Sequence, residues 1–398
     1  MITEIEIQNY KSIDKLRLEL GRVNVFIGEN GAGKSNILEA IALAAAAAGK
    51  LDNEFLASRG IRTTRPEWMR SAFDSACAGI PISIAMRNET DKFLFEIQNE
   101  NTTYSKWKLS NLVINDGAPA PVRQAGSENA VVGAGLGALF GNMLSPGLGT
   151  LIGAIVGGAI GNDSDKARVA NAINQFQPVS EYLNQFVIFS PENTSLRHFQ
   201  REGQIDPLGI SGEGLLKLLA FYEAENPKVV LPKIKQGMQL LGWFQDFLVH
   251  ATDADGRLNI ADKYLNEAAP LLDHHSANEG FFFLLFYFAL FCSDLTPKFF
   301  AVDNIDASLN PKLCENLIRQ LVVLAKEHGK QMIMTTHNPA VLDGLNLDDD
   351  EQRLFVISRD VDGATQVRRI SKPRDTGEPV RLSELFLRGT LGGLPKGF

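Results

Sequence analysis

The sequence predicts an α/β fold with a mixed central sheet, and two patterns support this prediction. An apolar β-type segment, Val23–Ile27, runs through a glycine-rich loop into a segment of helix formers at 36–43. Beyond residue 186, strand-like apolar segments alternate with helix-like segments, which is the order that builds a largely parallel sheet. A chain of 398 residues is long enough for two or three domains, or for one large domain with insertions.

Residues 1–115 are expected to form the N-terminal part of this fold together with an antiparallel β lobe. Residues 1–27 alternate apolar and polar side chains, which predicts two or three strands. A helix is predicted from residue 36 to about residue 49, where a glycine follows a run of alanines. The antiparallel lobe is predicted from three further β-like runs, at 82–86, 93–97 and 104–109.

Residues 116–180 are expected to be an insertion that contains a glycine-zipper helical hairpin. No charged residue occurs from Ala130 to Asn162, and glycines recur at every fourth position on either side of a central Ser-Pro-Gly. A spacing of four places small residues on one helix face, so that two helices can approach closely. Each arm of about 15 residues would be about 22 Å long, short of the ~30 Å hydrocarbon core of a bilayer. Two interpretations stay open for 130–161: contact with a membrane, and packing within or between protein chains.

Residues 181–398 are expected to form the C-terminal part of the fold. Helical patterns cover 212–250, and the apolar helix predicted at 281–291 is too short to span a membrane. Strand and helix patterns then alternate along the rest of the chain, at 299–302, 311–327, 331–335, 354–358 and 366–370.

Charge and cysteine usage narrow the class of protein. The formal net charge of −8 gives no indication of nucleic-acid binding, although a local basic patch would still allow it. The three cysteines have no metal-ligand spacing and are typical of a reducing compartment. The N-terminal residues do not resemble a signal peptide. We therefore expect a cytoplasmic protein, with membrane association through 130–161 as the open alternative.

The octapeptide Gly-Glu-Asn-Gly-Ala-Gly-Lys-Ser at 28–35 fits the phosphate-binding pattern G-x-x-x-x-G-K-[ST]. A strand–loop–helix arrangement points backbone N–H groups and a helix N-terminus at phosphate oxygens. Lys34 is expected to reach the β- and γ-phosphates, and the Ser35 hydroxyl to bind Mg²⁺. The sequence therefore predicts ATP and Mg²⁺ as cofactors. The residues predicted to bind them in this segment are Gly28, Asn30, Gly31, Gly33, Lys34, Ser35 and Asn36.

Two later apolar strands each end in a residue suited to phosphate chemistry. The strand at 299–302 is followed by Asp303, and the strand at 331–335 is followed by Thr336 and His337. Ligands bind at such strand ends in open α/β sheets. A carboxylate there would bind Mg²⁺ opposite the Ser35 hydroxyl. We therefore predict Asp303 as the second Mg²⁺ residue, with His337 at the same ligand-binding edge.

With these motifs in place, the chain resembles the ATP-binding-cassette (ABC) type heads of the RecF, SMC and OLD-like group. In particular it resembles the stand-alone AAA family ATPases of prokaryotic antiphage systems, such as the ATPase subunit of Septu and of retron-linked relatives. The matching stretches are 5–13, leading into the glycine loop, and 186–398. The resemblance implies that Lys34 and Ser35 bind nucleotide and Mg²⁺, that Asp303 is the acidic Mg²⁺ residue and that His337 is a switch histidine near the γ-phosphate.

Two motifs depart from the pattern of that group. The position after the Mg²⁺ carboxylate is usually Glu but is Asn304 here, and an amide cannot take a proton from the attacking water. Because Asn304 cannot act as the base, hydrolysis is predicted to be slow. Asp306 is the candidate substitute base. The signature motif, which in such heads reaches the γ-phosphate of a partner subunit, is loosely matched by 276–280, with Ser276 and Gly280 as nucleotide-binding candidates. The segment 211–214 is the second candidate. Such heads sandwich ATP in dimers, which implies a homodimer or a higher homo-oligomer.

Three functions remain in competition at this stage. The leading hypothesis is an ATP-binding regulatory subunit of an antiphage system that controls a separate effector, such as a nuclease, from the same operon. The second is a membrane effector that uses the hairpin at 130–161. The third is a RecF-like DNA-repair ATPase, for which the arginines between 59 and 70 would supply the local basic patch.

Overall fold

The computed structural model forms two compact units. The first unit contains the described residues of Met1–Gly21, Asn30–Phe186 and Ile357–Arg368, and the second those of Arg22–Glu29, Val187–Val356 and Arg369–Phe398. The structure describes residues 1–47, 51–71, 73, 75–102, 105–115, 120–121, 182–198, 204–250, 257–266, 271–371 and 381–394. The hairpin predicted at 130–161 lies outside these residues.

Fifteen strands and nine α-helices occur in the described residues. The strands, in chain order, are β1 Glu4–Tyr10, β2 Ile13–Glu19, β3 Val23–Ile27, β4 Ile82–Arg87, β5 Lys92–Gln98, β6 Lys108–Ile114, β7 Ala120–Pro121, β8 Ile188–Phe189, β9 Phe244–His250, β10 Arg257–Asp262, β11 Leu271–Asp273, β12 Phe299–Val302, β13 Gln331–Thr335, β14 Gln352–Arg359 and β15 Thr365–Ile370. The helices are α1 Lys34–Ala47, α2 Asn53–Ser58, α3 Pro66–Met69, α4 Asn193–Leu196, α5 Leu215–Glu225, α6 Val230–Met238, α7 Glu279–Cys292, α8 Pro311–Glu327 and α9 Leu382–Leu387. Short 3₁₀ helices cover Ser75–Gly79, His274–Ser276 and Pro339–Gly344.

The first unit is built on an antiparallel sheet with the strand order β2-β1-β4-β5-β6-β7. This sheet is the predicted antiparallel lobe, although its fifth strand runs from Lys108 to Ile114 rather than over the predicted 104–109. Helix α1 contacts β1, β4 and β5 in this unit. Alanines fill the second half of α1 and are buried, which lets the helix backbone approach its neighbours closely.

The second unit contains a sheet whose strands β14, β3, β13, β12 and β8 are all parallel. The central strands are apolar along most of their length and buried, as parallel strands covered on both faces are. The parallel core predicted from the alternation of strands and helices is therefore present, and the strands predicted at 299–302 and 331–335 have the expected bounds.

Helix α7 is the apolar centre of the second unit. Each of its residues from Phe281 to Cys292 is buried, and it packs against α4, α5, α6 and α8. A helix that is apolar on all sides is stable only when surrounded by other elements. Among the residues that the structure describes, no helix combines the length and the apolarity needed to cross a membrane.

A three-stranded antiparallel sheet, β11-β10-β9, was not expected from the sequence. Helical patterns predicted at 212–250 are confirmed for α5 and α6, but Phe244–His250 is the strand β9. Phe244 and Phe247 are both buried although they lie three residues apart, a spacing typical of a helix. The register between β9 and β10 shifts by one residue at Ala261/Asp262, and this bulge allows both rings to face the core from a strand.

Candidate functional site

The glycine loop at 28–35 leads from β3 into α1, whose first residue is Lys34. The N–H of Ile37 donates to the carbonyl of Gly33 over 3.1 Å, so the helix ladder starts inside the motif. Gly31 and Gly33 have φ angles of 79° and 108°, a left-handed region that only glycine adopts without strain. Lys34 is only 7% exposed and Ser35 is half-buried. Within the first unit, the motif therefore has the loop and helix start that the sequence predicts.

Side chains distant in sequence fix the shape of this loop. The Ser12 hydroxyl lies 2.7 Å from the Thr365 hydroxyl, which donates to the carbonyl of Ala32 over 3.1 Å. Asn36 donates to the Ser12 oxygen over 2.6 Å, and Arg359 donates to the carbonyl of Gly31 over 2.9 Å. A Cβ at residue 33 would come within 2.2 Å of the Thr365 hydroxyl, so this position accepts only glycine without rearrangement.

A buried carboxylate, that of Glu39, anchors the next turn of α1. Glu39 is 1% exposed and accepts from Arg62 over 2.5 Å, from the Tyr10 hydroxyl over 3.2 Å and from Lys11 at close range. Burial raises the pKa of Tyr10, and the Glu39 charge adds to that shift. Burial lowers the pKa of Lys11, while Glu39 opposes the shift. A buried charge is stable only when paired, so this cluster holds α1 and Arg62 in fixed positions.

In the second unit, the ends of β3, β13 and β12 lie side by side at one sheet edge. Val302 is opposite Met334, and Thr335 is opposite Phe26, so the residues that follow the three strands are neighbours. These following residues are Gly28, Thr336 and Asp303. The start of the glycine motif and the predicted Mg²⁺ carboxylate therefore follow strands of the same parallel sheet, at the edge where such sheets bind ligands.

Asp303 is positioned by β13. Its carboxylate accepts a hydrogen bond from the Thr335 hydroxyl, and its N–H donates to the carbonyl of Phe189 over 2.8 Å. The Thr335 hydroxyl also accepts from the N–H of Asn304 over 2.9 Å. A single threonine thus fixes both the carboxylate and the start of the turn after it, and Asp303 remains only half-buried.

The turn after Asp303 contains the two residues that bear on the choice of catalytic base. Asn304 is exposed and has a φ of 56°, in the left-handed region that asparagine enters more readily than glutamate does. The Asp306 carboxylate accepts from the Thr336 hydroxyl over 2.6 Å. The Asp306 carboxylate is therefore held by the residue that follows β13 and is not surrounded by solvent only.

His337 follows Thr336 at the same edge and is exposed. The loop after it is well defined by hydrogen bonds, because the N–H of Asn338 donates to the Thr336 hydroxyl over 3.0 Å and its side-chain oxygen accepts from the N–H of Ala340 over 3.0 Å. The second bond caps the 3₁₀ helix Pro339–Gly344. Asp303, Asp306 and His337 are thus brought to one edge of the second unit.

The signature candidate at 276–280 leads into α7. Asn278 caps this helix by accepting from the N–H of Phe281 over 2.9 Å, and Glu279 accepts from the Ser308 hydroxyl over 2.8 Å. The last bond connects the segment to the turn that follows Asp303. Ser276 is exposed and Gly280 is half-buried.

Arg197 holds the backbone of that segment. Its guanidinium donates to the carbonyls of His274 and Ala277, both over 2.7 Å, and lies 4.5 Å from the centre of the Phe282 ring. In the second-ranked segment, by contrast, Gly212, Glu213 and Gly214 are buried in the turn before α5. Exposure therefore favours 276–280 as the surface that could reach another molecule.

Several residues that shape the site could not be found from the sequence. Thr365 and Arg359 lie more than 320 positions after the loop that they contact, and no local pattern marks either of them. Ser12 lies in the N-terminal segment that resembles ABC-type heads, but that resemblance gave it no role. Arg197 follows a helix of four residues and has no neighbouring motif.

Comparison with sequence families gives three matches. Residues 1–126 match the family described as "AAA ATPase domain". Residues 281–343 match the family described as "AAA domain, putative AbiEii toxin, Type IV TA system". Residues 128–165 match the "Glycine zipper 2TM domain", which agrees with the zipper pattern recognised in the sequence at 130–161.

Individual relatives match over short stretches. An uncharacterized protein of Methanocaldococcus jannaschii is 52% identical over 44 residues, which are 11% of this chain and 20% of that protein. The DNA replication and repair protein RecF of Bacillus thuringiensis is 51% identical over 41 residues, 10% of this chain and 11% of RecF. The chain therefore covers a fifth or less of the length of these two relatives.

The fold is also found in a solved structure. A crystal structure of an SMC head bound to the C-winged helix domain of ScpA aligns with a TM-score of 0.54 at 15% identity. The alignment covers 93% of this chain and 98% of the SMC head. At this identity the similarity shows the fold alone. Residues 1–126 and 281–343 thus each match an AAA family model, and the α/β fold is similar to that of an SMC head.

Proposed function

We propose that the chain binds Mg²⁺-ATP, with the phosphates at the glycine loop and the metal at Ser35 and Asp303. The observation that carries this proposal is the register of β3, β13 and β12, after which Gly28, Thr336 and Asp303 follow at one sheet edge. The donors fit the ion, because a serine hydroxyl and a carboxylate are the hard oxygen ligands that Mg²⁺ prefers. Bound Mg²⁺ would neutralise charge on the β- and γ-phosphates.

Calorimetry with ATP and Mg²⁺ tests this proposal directly. Lys34→Ala removes the ammonium expected at the β- and γ-phosphates, and we expect ATP binding to weaken by at least about a hundredfold. Lys15→Ala is the matched control, because Lys15 is an exposed lysine of β2. Equal affinities of the Lys34→Ala variant and the unchanged chain would show that the loop does not bind the nucleotide.

We further propose that hydrolysis is slow and that ATP acts mainly as a conformational ligand. Asn304 occupies the position of the usual water-activating glutamate, and an amide cannot accept a proton. Asp306 is held by Thr336, which restricts its use as a replacement base. An ATP turnover number of about 1 per second or more would contradict this proposal, because such a rate lies within the usual range for enzymes.

An ATP-dependent homodimer is the assembly that the exposed signature candidate favours. In this arrangement Ser276 and Gly280 of one subunit would contact the γ-phosphate bound by the other. The SMC head to which the chain is similar was solved with a bound domain of another protein, ScpA. A surface of this head that binds a partner protein is therefore also part of the proposal.

We propose that this head regulates a separate effector of an antiphage defence system. The support is the resemblance to stand-alone defence ATPases and a family match whose description names a toxin and a Type IV TA system. Co-expression with the products of neighbouring genes, followed by gel filtration with and without ATP, tests the role. We expect one neighbour to co-migrate in an ATP-dependent manner. A head that co-migrates with none of the neighbouring products would contradict the proposed role.

A membrane effector is the second candidate function, because residues 128–165 match the "Glycine zipper 2TM domain". Replacing Gly137 and Gly153 with Leu would prevent close helix approach. If this function is correct, the replacements abolish membrane fractionation or toxicity. If both properties are unchanged, the zipper does not carry the function.

A RecF-like role in DNA repair is the third candidate, favoured by the short match to RecF. The arginines of this chain that would bind DNA already make contacts within the protein. Arg62 pairs with Glu39, and the Arg65 guanidinium lies 5.2 Å from the centre of the Trp68 ring. Salt-dependent DNA binding that is lost on Arg62→Ala and Arg65→Ala would support this role. Absence of DNA binding at low salt would exclude it.

A further inference from the structure

Asp273, His274 and His275 bring three metal-ligand groups together in the second unit. Their carboxylate oxygen and ring nitrogens lie within 4.8 Å of one another. Asp273 ends β11, and the two histidines start the 3₁₀ helix that contains Ser276. The N–H of His275 donates to the Asp273 carboxylate over 2.8 Å, which fixes the turn that joins the three side chains.

The buried ring of His274 gives an independent indication of a ligand. His274 is 5% exposed, and its Nδ1 atom has no hydrogen-bond partner among the residues that the structure describes. The Asp273 oxygen lies 3.6 Å from Nδ1, which is too long for a hydrogen bond. Two ligand atoms that share one tetrahedral Zn²⁺ ion are separated by about 3.4 Å, close to this distance. A shared metal ion would satisfy this buried nitrogen.

The ligand groups favour some metals over others. The Arg197 guanidinium donates to the His274 and His275 carbonyls over 2.7 and 3.1 Å and so fixes the backbone of both histidines, while its positive charge opposes every cation equally. Two imidazoles and one carboxylate suit Zn²⁺ better than Mg²⁺ or Ca²⁺, which prefer oxygen ligands.

We propose that Asp273, His274 and His275 bind one Zn²⁺ ion per chain. The ion connects the end of β11 to the turn before α7 and so holds the segment 276–280 in one conformation. This site is separate from the proposed Mg²⁺-ATP site, and its occupancy does not require nucleotide. Zn²⁺ binding and ATP binding can therefore succeed or fail independently in experiments.

The test uses the full chain without an affinity tag, treated with a chelator and studied without ATP. Titration with Co²⁺ as a spectroscopic substitute is expected to give visible absorption that saturates at one equivalent, and Zn²⁺ is expected to displace it. Asp273→Asn and His275→Ala change exposed side chains, and the amide oxygen introduced by Asp273→Asn can still accept the bond from the N–H of His275. Each is expected to weaken metal binding at least about tenfold. His328→Ala, which removes a histidine at the end of α8, is the matched control.

Amide hydrogen exchange supplies a second measurement. If these side chains had a purely structural role, adding Zn²⁺ would not change the exchange rates. Zn²⁺ is expected to slow amide exchange in residues 273–280 of the unchanged chain and of His328→Ala, but not of His275→Ala. The proposal is overturned if the unchanged chain takes up no Zn²⁺, or if His275→Ala binds it as tightly as the unchanged chain does.

Discussion

At Asn304, backbone conformation and side-chain chemistry agree. Its φ of 56° places it in the left-handed region, where asparagine is among the few side chains that are readily accepted. Its side chain is exposed after Asp303 but cannot act as a base. Glutamate, which would speed hydrolysis at this position, is therefore a residue that the left-handed backbone accepts with difficulty.

Asn304→Glu is therefore expected to raise ATP turnover at a cost in stability. A positioned general base contributes about 10²- to 10⁴-fold, and we expect a gain at the lower end because the turn is not shaped for glutamate. The left-handed backbone should reduce the free energy of unfolding by about 1 kcal/mol. Steady-state ATPase assays and thermal unfolding measure both effects, with Asn304→Ala as the control that supplies no base. Unchanged turnover in Asn304→Glu would show that this position does not face the attacking water.

Lys330 is a buried ionisable residue outside the proposed nucleotide site. It is fully buried and donates to the carbonyls of Ser293, Thr296 and Pro297 over 2.7 to 3.2 Å. Burial lowers the pKa of Lys330 to about 7, and the nearby charge of Lys298 adds to this shift. The unfolded chain, with a lysine pKa of about 10.4, then binds more protons than the folded chain between about pH 7 and pH 10.

Stability should accordingly rise with pH across that window. Because the unfolded state is more protonated, the free energy of unfolding increases as the pH rises. From about pH 7 to pH 9 the expected contribution of Lys330 is about 2 kcal/mol. Urea unfolding of the unchanged chain and of Lys330→Met at several pH values isolates this contribution. Parallel pH profiles for the two proteins would show that the pKa of Lys330 is not lowered by folding.

At the scale of elements, the parallel core was predictable and the three-stranded sheet was not. Strands such as β12 and β13 are largely apolar and are bounded by turn residues, so their sequence alone identifies them. Strand β9 has its buried phenylalanines three residues apart, because a bulge against β10 alters the alternation. That bulge depends on a partner strand and leaves no local signal.

The candidate site shows the same division. The glycine loop and Asp303 lie in short motifs whose chemistry can be recognised from the residues, whereas the role predicted for His337 came from the family resemblance. Thr365, by contrast, supports the loop through side-chain contacts across more than 300 positions of sequence. Contacts of this kind are determined by the fold, so a single sequence does not reveal them.

The glycine loop itself gives a matched pair of variants. Gly33→Ala would place a methyl group 2.2 Å from the Thr365 hydroxyl, whereas a Cβ at residue 31 would meet none of the described atoms within 4 Å. Both positions have positive φ, so each alanine should cost about 1 kcal/mol of backbone strain. Only Gly33→Ala carries the additional clash, which we expect to add about 1–3 kcal/mol.

Thermal unfolding without nucleotide compares these variants, and calorimetry reports ATP affinity. We expect Gly33→Ala to unfold at a lower temperature than Gly31→Ala and to lose most ATP binding. Combining Gly33→Ala with Thr365→Ala should recover part of the stability, because the clashing hydroxyl is absent. Equal stabilities of the two single variants would mean that the loop relaxes away from Thr365.

For the whole molecule, the central question is whether ATP brings two copies together. The proposed dimer needs two surfaces of each chain: the glycine loop, proposed to bind the nucleotide, and the segment 276–280, proposed to contact the nucleotide of the other copy. Ser276 is exposed and its backbone is held by Arg197 through neighbouring carbonyls, so a substitution there should leave the fold intact. The two requirements can therefore be separated by mutation.

Ser276→Arg should prevent ATP-dependent dimerisation while preserving nucleotide binding, because a large charged side chain would meet the partner surface. Gln245→Arg, on an exposed position of β9, is the control for added charge. Light scattering with Mg²⁺-ATP is expected to show dimers for the unchanged chain and the control, and monomers for Ser276→Arg and Lys34→Ala. Calorimetry then distinguishes the two monomeric variants, since only Lys34→Ala should lose ATP affinity. If Ser276→Arg forms dimers as the unchanged chain does, the segment 276–280 lies outside the interface. If the unchanged chain stays monomeric at saturating ATP, the sandwich arrangement is excluded.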